Sequence, residues 1–148
     1  MTEVQIRPMT LADYAEVRAL WLACAGMGLN DVDDSEAGIA RFLARNPDTC
    51  FAAHQYGRIV GAILTGSDGS RGYIYHTAVH PDFQGRRIGT QLVVHALAAL
   101  GEIGITKVAL VAFKRNQSGN AFWEKQGFTV RDDLVYRNKA LECVSKIP

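Results

Sequence analysis

The chain has 148 residues, enough for one domain whose core needs no disulfide or metal staple. Its composition, 48% hydrophobic and 21% charged, is that of an ordinary globular protein, and a net charge of +1 offers no global field for nucleic acid or an acidic membrane surface. Cys24, Cys50 and Cys143 form an odd set with no CxxC spacing, which argues against a disulfide framework and against a zinc or other metal site, and fits reduced cytoplasmic thiols. The opening MTEVQIRPMT lacks the basic-then-apolar order of a secretory signal, and no apolar run approaches a membrane span. A cytoplasmic protein without a membrane partner is expected.

Taken in order, Val4 and Ile6 alternate with polar neighbours and predict a short first strand. Thr10 with Asp13 marks a helix start, after which Leu11, Tyr14, Val17 and Trp21 recur at helical spacing. GMGLNDVDDSE (26–36) reads as an acidic loop. A second helix is predicted from near Asp34, with Asp34 as its cap, Ile39, Phe42 and Leu43 facing inward, and Pro47 ending it. Residues 49–54, 58–65 and 72–80 read as three strands of an antiparallel meander, turned by QYGR (55–58) and GSDGSRG (66–72). A helix follows from about 87 to 100, where Ile88, Leu92, Ala96 and Ala99 make an apolar stripe. KVALVAF (107–113) predicts a buried strand. Asn116 is a good N-cap for a helix ending at Gly127, with Phe128 folding back on it. Residues 128–141 are read as a closing hairpin turned at RDD. The element order β-α-α-β-β-β-α-β-α-β-β is mixed α/β, in one domain over 1–148.

The joint VHPDFQGRRIGTQLVVHAL (79–97) carries chemistry. A strand, a glycine-containing turn and a helix N-terminus make an anion site, because the first helical N–H groups have no intrahelical partner and the dipole adds positive charge. Gly85 and Gly89 let the chain turn and a phosphate approach; Arg86 and Arg87 add full charges. On this stretch alone, a pyrophosphate site and a solvated surface turn are about equally supported. The spacing is GxxxG, so neither the GxGxxG dinucleotide fingerprint nor a GxxxxGK[ST] loop is present.

YIYHTAVHPDFQGRRIGTQLV, followed about 30 residues on by NQSGNAFWEKQGF, resembles the GNAT family of acetyl-coenzyme-A-dependent N-acetyltransferases, and GSDGSRG is similar to small bacterial members. The likeness covers nearly the whole chain. In the family's signature, Arg/Gln-x-x-Gly-x-Gly/Ala, Gln84 and Gly89 fit the outer slots, Arg87 departs from the middle glycine, and Gly85 stands where glycine is frequent. The resemblance implies a twisted, mostly antiparallel sheet with strands four and five splayed and about four helices. It implies acetyl-CoA as cosubstrate, its pantetheine arm along Thr77, Ala78 and Val79 and its pyrophosphate on residues 84–89. Of these, Gln84, Gly85, Arg86, Arg87, Ile88 and Gly89, with Thr90, form the implied cofactor loop, Asn116 helps hold the arm from the other side, and Trp123 either packs against the pantetheine or fills the core.

Transfer of acetyl to an amine needs a neutral amine, a stabilised oxyanion and a proton for the departing thiolate. The resemblance implies a main-chain N–H near Val79 for the oxyanion. A lysine amine costs roughly 4.6 kcal/mol to neutralise at pH 7, against about 1 for an α-amine. Where relatives acting on lysine can place a glutamate, this chain has Tyr73. By strand alternation Tyr75 and Thr77 share its face and His76 points to the opposite one, which favours a packed or solvent-facing histidine. Tyr73, Tyr75 and His76 are therefore the candidate catalytic residues, with a rate that follows the acceptor's own neutral fraction. Trp123 stands where many relatives carry an acid tyrosine, and indole cannot supply a proton. Asp31, Asp33, Asp34 and Glu36 suit a cationic acceptor, although acids at a helix start serve its dipole.

The expected function is acetyl transfer to a primary amine of a small molecule or peptide, with a homodimer compatible. A CoA-binding sensor with little catalysis is the alternative. A nucleic-acid module using Arg86, Arg87, Lys114 and Arg115 is disfavoured by the near-zero charge.

Overall fold

Five strands in the order β1-β2-β3-β4-β5 carry four helices in a computed structural model that describes residues 3–147. They are β1 (Gln5–Pro8), α1 (Tyr14–Ala23), α2 (Glu36–Arg45), β2 (Phe51–Gln55), β3 (Arg58–Ser67), β4 (Gly72–Val79), α3 (Ile88–Glu102), β5 (Val108–Leu110) and α4 (Gln117–Lys125). The domain expected over 1–148 runs past the described residues at both ends. The first four strands pair antiparallel and β5 joins β4 in parallel, giving the mixed sheet expected of the fold. The β2–β3 turn carries positive φ at Tyr56 (56°) and Gly57 (72°), the backbone twist a two-residue hairpin requires.

Apolar patterning sorts the helices to the two sheet faces. Val17, Leu20 and Trp21 of α1 and Ile39 and Leu43 of α2 pack with Ala52, Ile59, Ala62, Leu64 and Ala78. Ile88, Leu92, Val93 and Ala96 of α3 pack with Phe51, Ala53, Val60, Ile63 and Ile74 on the other face. Before α1, the Asp13 carboxylate accepts the Thr10 N–H (2.9 Å) and both Arg7 guanidinium nitrogens (2.8 Å), and Arg7 holds its pKa below the ordinary carboxylate value.

Three expectations change. The N-cap of α2 is Ser35, whose Oγ accepts the Gly38 N–H at 3.0 Å; Asp34 lies one residue outside the cap, buried, with other partners. β5 is three residues long instead of spanning 107–113. Residues 128–141 form no hairpin. The segment is exposed, Val130, Leu134 and Val135 included. RDD lacks the glycine of a favoured Asn-Gly or Asp-Gly hairpin turn, Arg131 instead pairs locally with Asp133, and the short β5 offers little edge to pair with. Further on, Lys146 bridges Asn30, and the Ile147 N–H reaches Leu29 O, tying the chain's last described residues to the α1–α2 loop.

Candidate active site

β4 runs from Gly72 to Val79, but β5 pairs only with Gly72, Tyr73 and Ile74. Beyond Ile74 the two strands part, and one edge of β4 is open. The His80 N–H donates to Val60 O across the sheet, so by alternation the Thr77 and Val79 main-chain groups face the open edge. The Val79 carbonyl there accepts from Gln84 Nε2 at 3.3 Å and from the Cys24 thiol at 3.5 Å; burial pushes that thiol's pKa up. An extended arm can therefore add to β4 at this edge.

The open edge leads into the joint. After the 3-10 turn Pro81–Phe83, Gly85 (φ 80°) and Arg87 (φ 63°) both take left-handed backbone, and α3 starts at Ile88. Arg87 therefore occupies the middle glycine slot in the conformation glycine would adopt there. No side chain caps the start of α3 and no acid lies in its first turn. Its leading amides are free for an anion. Arg86 lies over the Phe83 ring at 5.0 Å. Gly89 has ordinary φ; its role is close approach, because a Cβ would meet the Phe122 ring of α4 at 3.2 Å. Ile88 buries its side chain in the core and offers only its amide. Thr90 accepts from Gln126 Nε2 at 3.0 Å, which fastens α3 to the end of α4. Asn116 caps α4 through the Gly119 N–H (3.0 Å), and Gly127 (φ 92°) turns the chain so that the Phe128 N–H reaches Trp123 O. Trp123 packs between Phe122 and Phe128, with ring centroids 5.0 and 5.4 Å away, and so fills the core on the α3 side.

The other half of the site depends on a bulge. Ile63 pairs with Thr77 and Thr65 with Ile74, so Tyr75 and His76 together oppose Leu64 alone. The extra residue breaks strict alternation. Tyr73, Tyr75 and His76 all come to the α1–α2 face: Tyr75 meets Phe42 of α2 (5.4 Å), and His76 meets Trp21 of α1 (4.9 Å). Thr77 turns to the α3 face, where its Oγ1 is buried without a hydrogen bond, and Ala78 enters the α1-side core. The alternation expected from sequence is thus reversed for His76 and Thr77, and the bulge is the reason.

Tyr73, Tyr75 and His76 line a cavity of about 870 Å³ between α2, the α1–α2 loop and the start of β4. His76 Nε2 lies 2.7 Å from Asp34 Oδ1, with side-chain exposures of 17% and 6%, so the pair is shielded yet borders the cavity. A carboxylate can only accept, which assigns the shared proton to Nε2 and leaves Nδ1 with a lone pair. Asp34 is held in turn: its Oδ2 accepts the Asn30 N–H at 2.8 Å, and its carbonyl accepts the Tyr14 hydroxyl at 2.6 Å. Burial, then nearby Tyr136, raises the Tyr73 and Tyr75 pKa values above that of a free phenol. Both stay protonated at neutral pH and can donate but not act as bases. Sequence reasoning missed Asp34 as the partner of His76. Nothing in the pattern of β4 signals the bulge that unites them.

The chain matches the acetyltransferase (GNAT) family profile over residues 14–128. An acetyltransferase of Sodalis glossinidius is 33% identical over 138 residues, covering 93% of this chain and 96% of that one. Among solved structures, Ard1 from Thermoplasma volcanium superposes with a TM-score of 0.78 at 20% identity, covering 86% of this chain and 84% of that one. The PaiA N-acetyltransferase from Thermoplasma acidophilum, solved with coenzyme A, gives 0.75 at 18% identity, covering 88% and 92%. Among the described residues no helix is long and apolar enough to cross a membrane.

Proposed function

Because the chain belongs to the acetyltransferase (GNAT) family, with acetyl-CoA as its cosubstrate, we propose that it acetylates a primary amine of a small molecule or peptide seated in the cavity beside His76. The observation that carries this reading is the bulge, which turns the His76–Asp34 pair into that cavity one residue before the open edge of β4.

The chain's own groups fit the cosubstrate. The uncapped start of α3 would hold the pyrophosphate, and the open edge at Thr77 and Val79 would pair with the pantetheine arm. Acetyl-CoA supplies a thioester activated toward an amine. The Thr77 and Val79 amides face the edge where the acetyl oxygen would lie and are placed to donate to it as negative charge gathers. His76 takes the amine's proton at Nδ1, while Asp34 keeps Nε2 protonated and steadies the charged ring; as the C–N bond forms the C–S bond breaks, and the departing thiolate takes its proton from water, to which His76 returns the one it accepted. A base at this position extends the reaction beyond acceptors that are already neutral. Tyr73 and Tyr75, held protonated, orient water or acceptor by donation.

The test is thiol release from acetyl-CoA over a panel of α-amines, polyamines, aminoglycosides and peptides, followed by the pH dependence of kcat/KM. The expected result is turnover whose acid limb disappears in His76→Ala. A wild-type rate that simply follows the acceptor's neutral fraction, unchanged in His76→Ala, would remove His76 from the mechanism and restore the acceptor as its own base.

A further inference from the structure

The cavity is electrically divided. At the His76 end stand Asp33 and Asp34. Toward the other end stand Arg45 of α2, Arg71 before β4 and Lys107 before β5, with Arg41 one turn earlier on α2, and none of these four has a contact ion-pair partner among the described residues. The one carboxylate at that end, Asp68, is engaged by the Ser70 and Arg71 amides at 2.7 and 2.8 Å, and these lower its pKa. The Arg71 guanidinium donates only to the Ser70 carbonyl, at 3.3 Å. A chain with a net charge of +1 has gathered four of its 16 basic residues around one concavity, none in a contact ion pair among the described residues; Asp68 is the one lining carboxylate at that end, and the charge of Arg45 reaches it.

Tyr73 and Tyr75, with rings 4.6 Å apart, lie between the two ends. His76 lies four positions beyond Gly72, roughly 13 Å at about 3.3 Å per residue. An arginine reaching inward shortens that to the length of about two or three extended residues.

Resting on the acetyltransferase reading, we propose that the acceptor is a zwitterion of short-peptide length. Its amine is drawn to the Asp33, Asp34 and His76 end, and a carboxylate at its far end is held by Arg45, Arg71 and their neighbours. Such a cavity orients its substrate by charge alone: reversing the acceptor would set ammonium against guanidinium and carboxylate against carboxylate. The basic end also opposes polyamines, which carry a second cation where the anion belongs.

The probes are trialanine, trialanine amide, and the amide of alanyl-alanyl-aspartate, which moves the carboxylate from the terminus to a side chain. Calorimetric titration into the CoA-loaded protein reads binding, and thiol release reads turnover. At least one carboxylate-bearing peptide should bind at least tenfold tighter than trialanine amide. That preference should weaken with salt and fall below threefold in Arg45→Gln/Arg71→Gln, whose fold is checked by its melting temperature with CoA. Whichever of the two peptides is preferred assigns the carboxylate to the terminus or to the side chain. Equal binding of acid and amide, or no binding of any peptide, overturns the proposal whether or not other amines are acetylated. Preferential binding without acetylation counts against the catalytic reading and leaves the charge selection standing.

Discussion

On the α3 side of β4 and along its open edge, the groups proposed to hold acetyl-CoA are main-chain amides, presented by an uncapped helix start and by a strand whose neighbour ends early. On the α1–α2 side, the groups proposed to meet the acceptor are side chains: a histidine, its carboxylate, two tyrosines and four cations. The difference suits what each half has to bind. A constant ligand can be met by backbone, which every residue carries, whereas a particular acceptor has to be selected by side chains. Substitutions should therefore act differently on the two sides. On the acceptor side they should remove chemistry and spare cofactor binding; on the cofactor side they should matter only where they disturb the backbone.

The largest expected effect is on the acceptor side. His76→Ala should lower kcat/KM by about 10²–10⁴, the usual contribution of a positioned base. Asp34→Asn should follow it closely, because an amide can present its N–H to Nε2 and favour the wrong tautomer. Acetyl-CoA should raise the melting temperature of both variants as it does that of the wild type. A base variant that loses CoA binding would break the division between the two halves.

Next is Gly89→Val. A Cβ there already meets Phe122 at 3.2 Å, and two further methyl groups must push α4 away from α3. Overpacking of this kind costs about 1–3 kcal/mol. Both the melting temperature and CoA affinity should fall, the latter by tenfold or more in a calorimetric titration. Unchanged affinity would mean that the anion sits elsewhere.

A smaller effect is expected from Tyr73→Phe. Its pKa lies above that of a free phenol, so the hydroxyl is protonated throughout neutral pH, and its loss removes a donor and no base. A two- to threefold fall in kcat/KM is expected, an amount worth about 0.5 kcal/mol. The shape of the pH profile below pH 9 should be unchanged. A lost limb in that range would give this tyrosine a role its surroundings argue against.

The smallest effect is expected from Arg87→Gly. Left-handed backbone at a residue with a Cβ costs roughly 1–2 kcal/mol, which glycine relieves, while glycine's freer unfolded chain takes back about 0.4–1. Thermal melts should show a change within about 1 kcal/mol. CoA affinity should shift by less than tenfold, since the proposed anion site is built from amides.

The two halves were not equally legible in the sequence. Gln84, Gly85, Gly89, Asn116 and Gly127 mark turns, caps and close approaches, and these are local properties written at single positions. The strand–turn–helix joint and the helix ending at Gly127 could therefore be placed closely before any coordinates. The acceptor side depends on register. Ile74 and Ala78 are both apolar and an even number apart, so a regular strand would put them on one face; the bulge puts them on opposite faces. No residue type announces such an insertion. Asp34 resembled any acid near a helix start until its distance from His76 was known. The closing hairpin at 128–141 failed for a related reason: pairing needs an edge, and the length of β5 is settled by where it parts from β4, not by its own apolar run.

The bulge also bears on how such a chain can diversify. Ile74 and Ala78 are each fixed in a different core, so β4 stays anchored on both sides of residues 75 and 76 whatever those two become. Mutation can renew the pair facing the acceptor while the folding instructions on either side go untouched. A one-residue deletion there would restore an unbroken ladder, a better strand by every local measure, and would leave one side chain facing the cavity where Tyr75 and His76 now both do. The proposed arrangement of Tyr75 and His76 beside Asp34 is thus inherited together with an irregularity that selection for stability alone would tend to erase.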